Sequence, residues 1–198
     1  MLDFLAEWAR RFAEAGGTRD QPGVDDKVLT DWNGMAIAGL AETGRVLGDA
    51  GIVERAARDA ARSLGRESVL ELDVSDEPVM VWASVAPLEL SVGNVVRNAI
   101  EASPPEATVR LSITTTGEWA EIRVDDSGPG LPGESETRVF EPFFSTKTDR
   151  GGSGLGLAIV KQLVEGWGGR VGAESSSGLT RFWFSLPQRG SSASGVPR

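Results

Sequence analysis

"EWAEIRVDDSGPG", residues 118–130, alternates apolar and polar side chains and then breaks into a Gly-Pro-Gly turn. The period of two predicts a half-buried strand with Ala120, Ile122 and Val124 facing inward and Glu121, Arg123 and Asp125 outward. Asp126 continues the inward parity, so a carboxylate is aimed at the apolar side. There it needs a donor, because a buried carboxylate without one is strongly destabilising. An adenine amino group would be such a donor, and Gly128 and Gly130 around Pro129 would let the backbone turn closely beneath a flat base. An Asp-Gly turn closing a strand is the other reading of the same residues.

Before this strand, "TVRLSITTTG" alternates with the same period and turns at Thr116-Gly117, which predicts an antiparallel hairpin. "PLELSVGNVVRNAIEAS" reads as a helix with an apolar stripe of Leu88, Val92, Val95, Ala99 and Ala102. A second helix follows Gly154, and "GGRVGAESSSGLTRFWFSLP" supplies a further strand pair. Upstream, "SVLELDV" and "PVMVWAS" are strand-like. Helices segregated against a mixed or antiparallel sheet make residues 66–187 an α+β domain, a two-layer α/β sandwich.

Residues 1–65 differ in texture and read as wholly helical. "MLDFLAEWARRFAEA" sets Leu2, Leu5, Trp8 and Phe12 at helical spacing, and "WNGMAIAGLAETGRVLG" with "GIVERAARDAARSLG" suggests a helical hairpin broken near Gly48 to Gly51. Residues 188–198, "QRGSSASGVPR", have the composition of a disordered end.

Composition narrows the chemistry. The 198 residues carry a formal net charge of −9, from 29 acidic and 20 basic side chains, which disfavours broad contact with nucleic-acid phosphates. A small anionic ligand stays open if a metal ion and local donors neutralise it. The chain contains no cysteine, excluding disulfides and thiolate chemistry, and no histidine, removing the commonest general base and metal ligand. No apolar run approaches the roughly 20 residues of a bilayer span, and no secretory signal pattern opens the sequence, so the expected location is cytoplasmic.

On the predicted helix Asn94, Asn98 and Glu101 fall at i, i+4 and i+7, lining three polar groups along one face. Amide oxygens suit a magnesium ion already partly neutralised by phosphates and waters, whereas a solvated helix face gives the same pattern. Asn is a poor helix former, so two at this spacing point to a task. In "GGSGLGLAIVKQLVEG", Gly154 and Gly156 flank a helix start, where free N–H groups and the macrodipole favour phosphate oxygens. A flexible linker has similar composition. Lys147 and Arg150 in the polar segment before it, and Arg97 on the first helix, would approach phosphates or remain solvated.

In this order the blocks resemble the ATP-binding domain of histidine kinases, in the superfamily shared with gyrase-type ATPases, chaperones of the ninety-kilodalton heat-shock class and mismatch-repair ATPases. "NVVRNAIEA" looks like the N box, "VDDSGPGL" the first glycine box, "FEPFFSTK" the F box and "GGSGLGLAIV" the second glycine box. The resemblance implies a Bergerat-type ATP-binding fold with ATP and Mg2+ as cofactors. It implies Asn98 as magnesium ligand, Asn94 near the phosphates with Glu101 on the same face, Asp126 on the adenine amino group, and Gly128 and Gly130 beneath the base. Gly152, Gly154 and Gly156 would contact phosphates, Phe140 and Leu155 would adjoin the nucleotide, and Thr180 would assist at the adenine through water. Phe140 to Ser153 would be the lid. Asn94, Arg97, Asn98 and Lys147 are the implied catalytic set. Asn94 stands where hydrolysing relatives carry a glutamate base, and an amide cannot deprotonate water, which favours phosphotransfer over hydrolysis.

The family's lid helix ends in a histidine before two glycines, whereas Trp167 precedes Gly168 and Gly169 here, a packing position. The family's phosphoacceptor histidine has no counterpart, so phosphotransfer would run only in trans, to a histidine-bearing dimerisation domain, with a response regulator as a further partner. A non-catalytic ATP-binding module is the alternative. "DDKVLTDWNGMAIAGLAETGRVLGD" also resembles proteins pairing a thioredoxin-like domain with an (α/α) six-hairpin barrel, implying a carbohydrate cleft lined by Asp25, Asp26, Lys27, Trp32 and Asn33. A helical cap or dimerisation element is the plainer reading of those residues.

Overall fold

The computed structural model describes residues 46–47, 50–74, 79–131, 135–145, 154–176 and 178–188. The expected helices over residues 1–15 and 32–45, the cleft residues Asp25, Asp26, Lys27, Trp32 and Asn33, and the tail over 189–198 lie outside the described residues. In chain order the elements are β1 (Val46–Leu47), α1 (Ala50–Ser63), a 3-10 turn (Glu67–Val69), β2 (Leu70–Asp73), β3 (Val81–Trp82) and α2 (Val85–Ala102). They continue with β4 (Val109–Thr116), β5 (Trp119–Asp126), α3 (Ser135–Arg138), α4 (Gly156–Gly166), β6 (Arg170–Ser176) and β7 (Leu179–Pro187).

Five strands form one mixed sheet in the order β2-β4-β5-β7-β6, with β2 parallel to β4 and every other pair antiparallel. Ala120, Ile122, Val124 and Asp126 alternate as buried positions along β5, as their parity predicts. Ile122 and Val124 lie opposite Phe184 and Phe182 on β7, whose rings fill the space beneath the helices. The β4–β5 turn falls at Gly117, as expected.

Helix α2 buries Leu88, Val92, Val95 and Ala99 of the predicted stripe, together with Val96 and Ile100, while Ala102 is half-buried. Ser103, Pro104 and Pro105 stop it, since proline cannot continue the backbone hydrogen bonding. Its carbonyl end is held by Arg66, which donates to Ile100 O at 2.5 Å, Ser103 O at 3.3 Å, Pro104 O at 2.5 Å and Pro105 O at 2.7 Å. A cation placed on the last carbonyls also complements the helix dipole.

Two features depart from the sequence reading. Val46 and Leu47, expected within a helix, pair antiparallel with β3, Val46 opposite Trp82 and Leu47 opposite Val81. Long-range pairing overrides a weak local preference in so short a segment. Helix α1, on the N-terminal side of the expected boundary at residue 66, is packed against α2 within the same compact unit. Its inner face of Ile52, Val53, Ala56, Ala57, Ala60 and Ala61 is buried in the common core, the alanines allowing close helix approach. No helix among the described residues is long and apolar enough to cross a membrane.

Candidate functional site

Helix α2 carries the site along one side. Asn94 is 9 % exposed, and its Nδ2 donates to the carbonyl of Gly156, the first residue of α4, at 3.5 Å. Asn98 one turn later is half-buried, and Glu101 and Arg97 are exposed, so the predicted polar line grades from core to surface. Two turns beyond Asn94, Ala102 meets the turn that follows β5. A Cβ added at Gly128 would lie 3.1 Å from Ala102 Cβ and 2.7 Å from Asp126 Oδ1, so only glycine lets this turn sit against the helix.

Asp126 is 1 % exposed, beneath the helical layer. Its Oδ1 accepts the Gly128 N–H at 2.8 Å, a side-chain-to-backbone closure that orients the carboxylate. The neighbouring Asp125 takes the opposite face, where Arg181 donates to it at 2.7 Å. That hydrogen bond raises the Arg181 guanidinium pKa further above its usual value. Thr180, buried, lies opposite Asp126 on β7, and Ser175 lies opposite Thr180 on β6.

The other end of the site is the start of α4. The N-cap position is Leu155, whose side chain makes no capping hydrogen bond, and by helix geometry the first-turn N–H groups of α4 are not consumed within it. Gly154 has a φ of 65°, and a Cβ there would lie 2.6 Å from the Phe143 carbonyl carbon. Its own carbonyl accepts the Phe143 N–H at 3.0 Å. Gly154 thus joins the F-block turn to α4, a packing duty that its sequence context does not reveal. Phe140 is buried in the apolar core, and Trp167 packs against that core, as expected of a packing residue.

Asn94 and Ala102 are eight residues apart on one helix, roughly 12 Å at 1.5 Å per residue. The span from the α4 start to the Gly128 turn is therefore comparable to the length of a nucleoside triphosphate. The buried acid and the glycine turn suit a purine, and a helix start with N–H groups unused by the helix itself suits phosphates. Among the described residues no group of three or more His, Cys, Asp or Glu is placed to hold a metal ion. A separate shallow hollow of about 220 Å³, lined by Glu136, Glu174, Ser175, Ser176, Leu179 and Arg181, contains neither Asn94 nor Asp126. Lys147, Arg150 and Gly152, and the lid segment beyond Ser145, lie outside the described residues.

Sequence reasoning missed Arg66 and Ser175, whose contacts join segments far apart in the chain and leave no periodic signature; it read Ala102 only as part of an apolar stripe, not as the surface that the glycine turn meets.

Residues 84–190 match the family described as histidine kinase-, DNA gyrase B-, and HSP90-like ATPase. The chain is 38 % identical over 128 residues to the signal transduction histidine-protein kinase/phosphatase MprB of Mycolicibacterium vanbaalenii, covering 63 % of this chain and 26 % of that protein. The solved mycobacterial sensor histidine kinase MprB superposes with a TM-score of 0.63 at 32 % identity, over 73 % of this chain and 97 % of that one. Full-length ShkA in complex with AMPPNP superposes with a TM-score of 0.59 at 28 % identity, over 72 % of this chain and 31 % of that one. The chain spans about a fifth to a quarter of the length of the curated relatives it matches.

Proposed function

This chain belongs to the family of histidine kinase-, DNA gyrase B- and HSP90-like ATPases, as an ATP-binding catalytic domain of the sensor histidine kinase type, and on that premise we propose that it binds Mg-ATP and transfers the γ-phosphoryl group to a histidine on another chain. The observation that carries this reading is the buried carboxylate of Asp126, closed onto Gly128 against the same helix whose buried Asn94 touches the start of α4. The relative solved with AMPPNP, an ATP analogue, supports it.

ATP supplies the transferable phosphoryl group, and the chain supplies position and charge. Asp126 would accept from the adenine amino group, with Thr180 assisting through water and Gly128 and Gly130 beneath the base. Asn98 would ligate magnesium and Asn94 would lie near the phosphates, beside the N–H groups of the α4 start. Asn94 has no proton-abstracting capacity, so water would be a poor competitor for the phosphoryl group. None of the 198 residues is histidine, so the acceptor would be a histidine outside these residues.

Two measurements test the proposal. Titration with ATP in magnesium and then in chelator should show saturable binding that magnesium strengthens. Mixing the chain with a histidine-bearing kinase hairpin and labelled ATP should place phosphate on that histidine. Binding without transfer to any such hairpin would favour the non-catalytic alternative, and no binding would remove both.

A further inference from the structure

Ser175 of β6 ties down both ends of the connection that leaves the glycine turn. Its Oγ accepts the Leu131 N–H at 2.9 Å, directly after Gly130, and its own N–H donates to Glu136 Oε1 of α3 at 2.9 Å. Gly130 has a φ of 84°, and a Cβ there would lie 2.9 Å from the Ser175 Oγ, so the turn is seated on this hydroxyl. Ser175 also completes a row across three strands with Thr180 and Asp126. From Asp126 the backbone is therefore fixed at Gly128 by the acid itself and at Leu131 by Ser175.

We infer that Ser175 is a positioning residue for base selection: its hydroxyl holds the Gly128–Leu131 turn so that the Asp126 carboxylate stays aligned with the exocyclic amino group of a purine. The inference rests on the assignment of Asp126 to that amino group. A hydroxyl acceptor at position 175 is needed, not bulk, because the anchoring atom is the oxygen bonded to Leu131 N. Without it the turn keeps its glycines but loses one of its two side-chain anchors, and the carboxylate samples more orientations.

The readout is the preference for ATP over ITP, which carries oxygen in place of the amino group, measured by equilibrium binding on the intact chain. Ser175→Ala should reduce that preference about fivefold, the worth of one ordinary hydrogen bond, while Ser175→Thr should retain it. In the nucleotide-free protein, Ser175→Ala should also speed hydrogen exchange at the Leu131 amide, and Ser175→Thr should not. Asp126→Asn is the reference variant. If it erases the ATP preference while Ser175→Ala leaves both the preference and Leu131 exchange unchanged, the positioning role is wrong and the adenine assignment stands. If Asp126→Asn leaves the preference intact, the assignment fails and the role of Ser175 falls with it.

Discussion

Asn94 Nδ2 donates to the Gly156 carbonyl at 3.5 Å, a part-buried hydrogen bond that joins the amide-bearing helix α2 to the glycine-flanked start of α4. Two elements separated by 62 residues in the chain thereby form one end of the proposed nucleotide groove, whose binding properties would follow from how that end and the Asp126 end are held.

Asp126→Asn keeps the shape of the side chain and removes its charge. ATP affinity is expected to fall about 10- to 150-fold, corresponding to about 1.5–3 kcal/mol for a hydrogen bond to an ionised acceptor. Calorimetric titration of the variant measures this, and wild-type affinity would contradict the placement of the base.

Asn98→Ala removes the proposed magnesium ligand while leaving the core untouched, because Asn98 is only half-buried. ATP binding in magnesium should drop to the level that the unaltered chain shows in chelator, with little change in melting temperature. A variant that still gains affinity from magnesium would assign the metal to other oxygens.

Gly128→Ala would drive a methyl group to 2.7 Å from Asp126 Oδ1 and 3.1 Å from Ala102 Cβ. The turn must shift, at an expected stability cost of about 1–3 kcal/mol, typical of overpacking. Nucleotide affinity should fall further than stability alone explains. Denaturant unfolding and ATP titration on the same preparation separate the two.

Arg66→Ala removes four contacts to carbonyls at the end of α2. Bonds from a charged donor contribute about 1.5–3 kcal/mol each in isolation but share one side chain here, so a loss of about 2–4 kcal/mol is expected. Urea unfolding should show it, and a change below about 0.5 kcal/mol would mean that water replaces the guanidinium at no cost.

Helix α1 belongs to the core, and its Ala57 and Ala61 are fully buried. A chain beginning at residue 66 should therefore expose the α2 face that α1 covers and aggregate or unfold, whereas one beginning at residue 46 should fold. Ala61→Leu should destabilise the intact chain by about 1–3 kcal/mol through overpacking. Circular dichroism and size-exclusion chromatography of the two truncations decide the matter.

Much of this domain is legible without coordinates, because a strand's two faces are set by alternate residues. The parity of Ala120, Ile122, Val124 and Asp126 places the acid inside from local pattern alone, and the helical stripe from Leu88 to Ala99 does the same for α2. The glycine turn, the amide pair and the order of the four blocks are equally local facts. Which surface covers each face is not local. The packing of α1 on α2, the pairing of Val46–Leu47 with β3, the seating of Leu131 on Ser175 and the capping of α2 by Arg66 join residues tens of positions apart. An alanine-rich face such as that of α1 suits many partners, and a single serine or arginine carries no period. Only when the chain has closed these distances does the free energy of burial and of paired carbonyls choose among the partners.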